Sequence, residues 1–304
     1  MYKQAVTTFT DRTDAELSRP KLPKIDLSKA QNNSLPKIGD SSKPFPATFN
    51  WRDQGKISSV KDQDKCGACW VFVATAAASS YLAIQTGSIY ELSEQYVLEC
   101  TMFGGCNGGY TELAFNLMIS KKTPLLSTFP YTAGLRGSFQ PTQGICSTGQ
   151  GIQFPPNTIV NTYYNVSSEK LKELIMNGPV AAMYYGTERA FSSYSTGIYS
   201  CGMPTVGTEL LDHALEVIGW DSASNFIVKN SWGTTWGAGG FGVISKDRDC
   251  GLKLIVYELY RKGDTPIAPN NNMTPNTNPA TNGSSPPPDN NSSAGGRGYI
   301  IKRG

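Results

Sequence analysis

The chain has 304 residues, of which 39% are hydrophobic and 17% are charged, and its formal net charge is +3. That length allows one large two-lobed domain or two modest ones. The small net charge gives no reason to expect a nucleic-acid partner, no window approaches the apolar length of a transmembrane helix, and the polar N-terminus predicts no signal peptide.

The seven cysteines indicate an oxidising compartment. Such a number in a chain of this size suggests disulfides, and because the count is odd, one cysteine is left over. The expected disulfides conflict with the lack of a predicted signal peptide, so we expect the N-terminus to be incomplete.

Helices are predicted in the first half of the chain. Residues 1–44 are polar and basic and contain four prolines, so little stable core is expected there. An alanine-rich run further along the chain predicts a mostly buried helix over 69–86, with Gly87 as its C-cap. Further helices are predicted over 92–100 (with Ser93 as N-cap) and 111–120, and one amphipathic helix over 167–177 is predicted in the second half.

Strands are predicted from about residue 158, where short apolar runs bounded by glycines favour an antiparallel sheet or barrel. These runs cover 180–185, 213–220, 225–229, 240–245 and 252–260. A helical half followed by a strand-rich half predicts an α+β protein with a cleft between two lobes. After residue 263 the sequence is rich in Asn, Pro, Ser and Thr and predicts a disordered tail.

Cys69 is the candidate nucleophile because it falls in the first turn of the predicted helix. Backbone N–H groups and the positive end of the helix dipole favour a thiolate there. His213 is the single histidine of the chain, so it alone can serve as an imidazole base, and most histidine-containing metal sites are excluded. Asn230 can accept a hydrogen bond from that ring, and Trp232 can shield it. Gln63 can donate to an oxyanion beside the backbone N–H of Cys69.

Each of these residues also has a plainer interpretation. Cys66 and Cys69 alone form the spacing of a thioredoxin-like redox pair or of half a zinc site. A histidine beside an aspartate is often a surface or core residue, and Asn230 is compatible with a turn.

Several motifs in order resemble the papain-like cysteine proteases. They are Gln63, Cys66-Gly67-Ala68-Cys69-Trp70, Ser93-Glu94-Gln95, Cys106-Asn107-Gly108-Gly109-Tyr110, Phe129-Pro130-Tyr131, Asp212-His213-Ala214 and Lys229-Asn230-Ser231-Trp232-Gly233. Cys-Gly-Ala-Cys-Trp matches the local signature of that family, in which a histidine and an asparagine follow about 130–150 residues downstream. Here His213 follows Cys69 by 144 residues and Asn230 follows it by 161, so the second separation is slightly long.

The resemblance implies a papain-like fold, with a helical left lobe, an antiparallel β-barrel right lobe and the active-site cleft between them. The implied divisions are a partial prosegment remnant (1–45), the helical lobe (46–157), the barrel lobe (158–262) and the tail (263–304). Cys69 would be the nucleophile, His213 the base, Asn230 the residue that orients the base, and Gln63 the oxyanion donor. The implied disulfides are Cys66–Cys106, Cys100–Cys146 and Cys201–Cys250, which leave Cys69 outside a bridge.

Substrate-binding residues follow from the resemblance as well. They are Gly108, Gly109, Tyr110, Thr111, Met183, Leu211, Asp212, Ala214, Trp232 and Ile255. The pocket for the second residue before the cut would be mainly apolar, which predicts Leu, Val or Phe there rather than Arg. Met183 and Leu211 fit an ordinary core equally well.

The predicted function is that of a cysteine endopeptidase, and no metal or cofactor is expected. Removal of dipeptides is not expected, because the branch of the family with that activity has a loop with two histidines and this chain has one histidine. Its partners would be polypeptide substrates and protein inhibitors of cysteine proteases, without a membrane span, and it would act as a monomer. A lysosomal, vacuolar or secreted location is expected, with glycosylation sequons at Asn165, Asn272, Asn282, Asn290 and Asn291. The alternatives are a catalytically impaired protease scaffold that binds other molecules and, less favoured, a thiol–disulfide redox protein.

Two departures from the family pattern stand near the nucleophile. Asp64 and Lys65 add charges in the loop before Cys66, where the family usually has glycine and a small residue. Val71 and Val73 replace smaller residues after Trp70 and predict a locally repacked helix.

Overall fold

The computed structural model describes residues 2–4, 45–101, 104–136, 145–147 and 149–263. The predicted disordered tail and nearly all of the predicted prosegment remnant lie outside these residues, as do all the sequons except Asn165.

Helix α1 (Cys69–Thr86) has the predicted bounds and lies in the core of the first lobe. It ends where Gly87 adopts a left-handed conformation (φ 82°) and its N–H bonds to the carbonyl of Ala83, as the predicted cap requires. By length and composition α1 is long and apolar enough to cross a membrane, which the sequence analysis did not expect. Most of its residues are buried inside the protein, as in the core helix of a globular lobe.

The other helices of the first lobe surround α1. They are α2 (Glu94–Cys100), α3 (Thr111–Ser120) and the short α4 (Ala133–Arg136). Ser93 is the N-cap of α2, as predicted, and its Oγ accepts a hydrogen bond from the Tyr96 N–H at 3.1 Å. One hydrophobic cluster joins these helices and reaches the nearest strands of the second lobe.

The second lobe is built on an eight-stranded sheet within the described residues. Its strands are β2 (Phe49–Asn50), β3 (Thr158–Tyr164), β4 (Val180–Tyr184), β6 (Ile198–Tyr199), β7 (His213–Trp220), β8 (Phe226–Lys229), β9 (Phe241–Ile244) and β10 (Ile255–Arg261). The order is β3-β10-β4-β7-β8-β9-β6, with β2 beside β7. Every pair is antiparallel except β6 with β9. The second hydrophobic cluster lies between this sheet and helix α5 (Ser168–Asn177).

Some strands differ from the prediction. β3 was not predicted as a strand, and β10 begins three residues later than expected because residues 252–254 form turns. Strands of two or three residues are too short to show the alternation of apolar and polar residues that predicts a strand. Fold class is nevertheless confirmed, since helices fill the first lobe and a mostly antiparallel sheet fills the second.

A two-residue strand near the N-terminus pairs with the second lobe. This strand, β1 (Lys3–Gln4), is antiparallel to β5 (Tyr194–Thr196). The ring of Tyr2 lies 5.0 Å from the ring of Tyr199. Little core is expected in this region from its polar and basic sequence, so this contact differs from the prediction.

Candidate active site

Cys69 is the first residue of α1, and it is 3% exposed. The N-terminal end of a helix carries partial positive charge, which stabilises a thiolate. Here the N-cap position is held by Ala68, whose side chain makes no capping hydrogen bond, and the first turn contains no acidic residue. No side chain of that turn therefore neutralises the charge of the helix end beside the sulfur.

A tight loop fixes the start of α1. Cys66 is bonded to Cys106, and the Gly67 N–H donates to the carbonyl of Cys106 at 2.9 Å. A Cβ at Gly67 would lie 2.5 Å from that carbonyl oxygen, so only glycine permits the approach. Gly109 packs in the same way against Trp70, where a Cβ would lie 2.4 Å from the indole ring. These close contacts hold the loop of residues 104–109 against the first turn of α1.

The sheet brings His213 and Asn230 together. His213 begins β7, and Asn230 directly follows β8, its antiparallel neighbour, so the two residues share one end of the strand pair. Nε2 of His213 lies 2.9 Å from Oδ1 of Asn230. The Ser231 N–H donates to the same oxygen at 2.8 Å, which turns the amide so that oxygen faces the ring. Nε2 is therefore the nitrogen that carries a proton.

Trp232 covers this hydrogen bond. Its ring centroid lies 4.6 Å from that of His213, and the planes are tilted by 32°. Both residues are nearly fully buried, and Phe191 packs against Trp232 from behind, with 5.5 Å between ring centroids. Water is thereby excluded from the His213–Asn230 bond, which strengthens it.

Gln63 is held by contacts from both lobes. Its Nε2 donates to the carbonyl of Cys66 at 3.0 Å, and its Oε1 accepts from the Ser231 hydroxyl at 2.6 Å. Its carbonyl accepts from the hydroxyl of Tyr131, and burial raises the pKa of that phenol, which keeps it a donor. One hydrogen of the Gln63 amide is used by Cys66, and the second can serve an oxyanion.

Comparison with known proteins decides the family. Residues 45–258 match the family model described as papain family cysteine protease. The chain belongs to the papain family of cysteine proteases. Its hydrolytic activity on polypeptides follows from that membership, because the matching relatives are themselves named as proteases.

One sequence relative and one solved structure show what this papain-family protease is similar to. Fruit bromelain of Ananas comosus is 31% identical over 272 residues, which cover 83% of this chain and 72% of the relative. The structure of the Carica candamarcensis cysteine protease CMS1MS2 in complex with E-64 superimposes with a TM-score of 0.63 and 29% identity, covering 71% of this chain and 99% of that one.

A zymogen structure is also similar. The ragweed pollen cysteine protease Amb a 11, solved in its proform, gives a TM-score of 0.68 at 27% identity and covers 86% of this chain and 80% of that chain. The protease thus resembles both an inhibitor complex and a proform of papain-family proteases.

The protease contains the three disulfides that the resemblance implies: Cys66–Cys106, Cys100–Cys146 and Cys201–Cys250. All seven cysteines are among the described residues, and Cys69 is the one that keeps its thiol. Glu188, Cys201 and Cys250 form the one group of possible metal ligands within the described residues. Two of its three ligand atoms are joined in a disulfide, so that group does not suit a metal.

The altered loop before Cys66 keeps a backbone that glycine would adopt easily. Asp64 has a φ of 48°, in the left-handed region that aspartate tolerates better than most residues. The Asp64 N–H bonds to the Asp62 carboxylate at 2.8 Å. The loop departs from the family in charge and retains a glycine-like bend.

The predicted pocket residues have mixed surroundings. Met183, Leu211, Ala214 and Ile255 are buried in the first hydrophobic cluster, and Thr111 Oγ1 lies 3.8 Å from Met183 Sδ. Tyr110 is half-buried, and Gly108 takes a left-handed φ of 88°. Asp212 Oδ1 accepts from the Gly186 N–H at 2.7 Å, so it fixes the loop that follows β4.

Two sets of residues near the site were not predicted. Ser231 links Gln63 to the second lobe and was considered only as part of its motif. Glu216 and Lys229 form a buried ion pair behind His213 and Asn230. The sequence around Glu216 and Lys229 does not predict this ion pair, because the pair depends on the register between β7 and β8.

Proposed function

We propose that this protease is an endopeptidase in which Cys69 attacks the scissile carbonyl. Supporting this role are its thiol, its place at a helix N-terminus and the fixed imidazole of His213. The geometry that carries the proposal is the 2.9 Å contact between His213 Nε2 and Asn230 Oδ1, because it fixes the tautomer and leaves Nδ1 for the thiol.

The reaction then proceeds in two halves. Nδ1 of His213 takes the proton from the Cys69 thiol, and the thiolate attacks the carbonyl carbon while the C=O electrons move to oxygen. That oxyanion accepts hydrogen bonds from Gln63 Nε2 and the Cys69 backbone N–H. As the intermediate collapses, the C–N bond breaks and the leaving amine takes the proton from Nδ1. Water then attacks the thioester with His213 as base, and the carboxylic product leaves with restoration of the thiol.

We propose a preference for Leu, Val or Phe at the second residue before the cut. The supporting observation is the apolar character of Met183, Leu211, Ala214 and Ile255, which share one cluster. A guanidinium placed among them would lose its hydration without a carboxylate to compensate.

The test uses an epoxide label and matched peptides. A peptidyl epoxide of the E-64 type should add once, at Cys69, and Cys69→Ser should abolish both labelling and cleavage. Internally quenched peptides with blocked ends should be cut, and a Leu-Arg reporter should be cut faster than an Arg-Arg reporter. Failure of the folded, reduced protein to react with the epoxide would favour a protease scaffold that only binds, and reversible cycling of Cys66 with Cys69 would favour a redox protein.

We further propose that the protease works in an oxidising compartment, either a lysosome or vacuole or outside the cell. Three disulfides support this, because they form and persist in such compartments. Asn165 is exposed and begins a sequon with Val166 and Ser167. A mass shift at Asn165 on treatment with an N-glycosidase is expected, and an unmodified Asn165 together with free thiols at the six bridged positions would contradict this location.

A further inference from the structure

Glu216 and Lys229 form an ion pair inside the protein, one step from the catalytic end of the sheet. Their side chains are 1% and 5% exposed, and Nζ of Lys229 lies 3.3 Å from Oε2 of Glu216. The two residues are direct partners in the β7–β8 ladder. Desolvated charges are costly unless they are paired, so this pair strongly favours one register.

That register is also the one that joins His213 to Asn230. Asn230 directly follows Lys229 in the chain, and His213 lies three residues before Glu216 on the same strand. A shift of β8 by one residue would separate both the charge pair and the His213–Asn230 hydrogen bond.

The pair reaches the first lobe as well. Oε1 of Glu216 accepts from the hydroxyl of Ser80 at 2.7 Å, and Ser80 belongs to α1, the helix that begins with Cys69. Nζ of Lys229 donates to Ser58 Oγ at 2.8 Å. Both charged groups therefore carry hydrogen bonds that link the sheet to segments outside it.

A small cavity of about 20 Å³ lies beside the pair, between the two lobes. Its walls include Glu216, Lys229 and Asn230 from the sheet, and Lys61 and Glu94 from the first lobe. Lys61 and Glu94 form a second ion pair at 2.6 Å on the opposite side. Two charge pairs therefore lie at the interface behind the site, beside the apolar side chains of Phe72, Val73 and Ala214.

We propose that the Glu216–Lys229 pair is a positioning device for catalysis: it sets His213 and Asn230 relative to each other and to the helix that carries Cys69. This inference rests on the proposed roles of these three residues. Neither Glu216 nor Lys229 touches the reacting atoms, and each acts through its neighbours in the ladder.

The test removes both charges together, because removing one leaves a buried charge that endangers folding. In Glu216→Gln/Lys229→Met the glutamine can still accept from Ser80. We expect this variant to fold and to be labelled at Cys69, with kcat lowered about tenfold to a hundredfold and KM nearly unchanged. Lys229→Arg, which keeps the charge, should retain most of kcat.

The matched control makes the same substitutions in an exposed pair. Lys170 and Glu173 lie 3.2 Å apart on α5 with about a third of each side chain exposed, and Glu173→Gln/Lys170→Met should leave kcat unchanged. If the buried double variant shows wild-type kcat and KM, the inference is wrong. If the wild-type protein itself cleaves no peptide, the proposed function has failed, and that result is distinct from the first.

Discussion

The imidazole of His213 is restrained on three sides by contacts of different kinds. Asn230 accepts from its Nε2, Trp232 covers its face, and the ladder partner of its strand fixes its backbone. The sequence predicted the first two contacts, because the chain has one histidine and one matching Asn-Ser-Trp-Gly motif. It could not predict the strand that lies beside His213, since strand order depends on contacts distant in sequence.

At the residue scale, we predict that Ser231 supports Gln63. Ser231→Ala removes the hydroxyl that donates to Gln63 Oε1, so the amide loses one of its two anchors. We expect kcat to fall about tenfold in Ser231→Ala and about a hundredfold or more in Gln63→Ala, where the proposed oxyanion donor itself is lost. Steady-state kinetics with a fluorogenic peptide measure both.

The control is Gln153→Ala, which changes an exposed glutamine far along the chain. Its kcat should equal that of the wild type. A Ser231→Ala protein with unchanged kcat would mean that the Cys66 carbonyl alone suffices to orient Gln63.

At the scale of elements, helices were more predictable than strands. The alanine-rich run and Gly87 predicted both ends of α1 correctly, because helix propensity and capping are local signals. β3 was missed although it has seven residues, and the parallel pairing of β6 with β9 was not foreseen. Strand pairing is decided by neighbours far away in the chain, so local patterns identify it poorly.

Two serine N-caps are predicted to contribute unequally to stability. Ser93 is buried, accepts from the Tyr96 N–H and donates to the carbonyl of Phe129 at 2.6 Å. Ser167 is exposed and accepts from the Lys170 N–H alone. Ser93→Ala should lower the free energy of unfolding by about 2 kcal/mol, and Ser167→Ala by about 1 kcal/mol. Urea unfolding measures both, and equal losses would contradict the assigned role of the Phe129 contact.

Glu258 on β10 predicts a pH dependence of stability. Burial raises the pKa of this carboxyl above 4.5, although Asn177 and Tyr163 donate hydrogen bonds to it. The native protein therefore holds the proton more tightly than the unfolded chain. Glu258 therefore contributes fully to stability at pH values below its ordinary pKa. This contribution is lost as the pH rises through the raised pKa of the folded protein.

The variant Glu258→Gln should remove this dependence. Its free energy of unfolding relative to wild type should increase as pH rises from 4 to 7, measured by urea unfolding at each pH. Glu209→Gln, which changes an exposed carboxylate, is the matched control and should show no such trend. A constant difference between Glu258→Gln and wild type would show that burial does not raise the pKa of Glu258.

At the scale of the whole molecule, the two lobes meet through polar and charged contacts that the sequence did not predict. Ser231 with Gln63, Glu216 with Ser80, and Lys229 with Ser58 all join segments far apart in the chain. Motifs predicted candidate residues for the site, because family signatures are local. The contacts that hold those residues together depend on register and lobe packing.

The disulfides are predicted to serve the molecule in different ways. Cys201→Ala/Cys250→Ala should lower stability by about 2–5 kcal/mol and leave the rate of epoxide labelling at Cys69 unchanged. Cys66→Ala/Cys106→Ala should also slow that labelling, because this bridge closes the loop that begins α1. Labelling kinetics on folded samples separate the two effects. Equal labelling rates in both variants would show that the bridge next to Cys69 is purely structural.

The imidazole of His213 tests the central claim most directly, and a single histidine makes its signals measurable without assignment. In protein labelled with ¹⁵N-histidine, we predict that the ring ¹⁵N chemical shifts change when Cys69 is blocked with a small disulfide reagent, because the thiol can then no longer exchange a proton with Nδ1. Ring shifts that are the same before and after blocking would contradict the proposed partnership of Cys69 and His213.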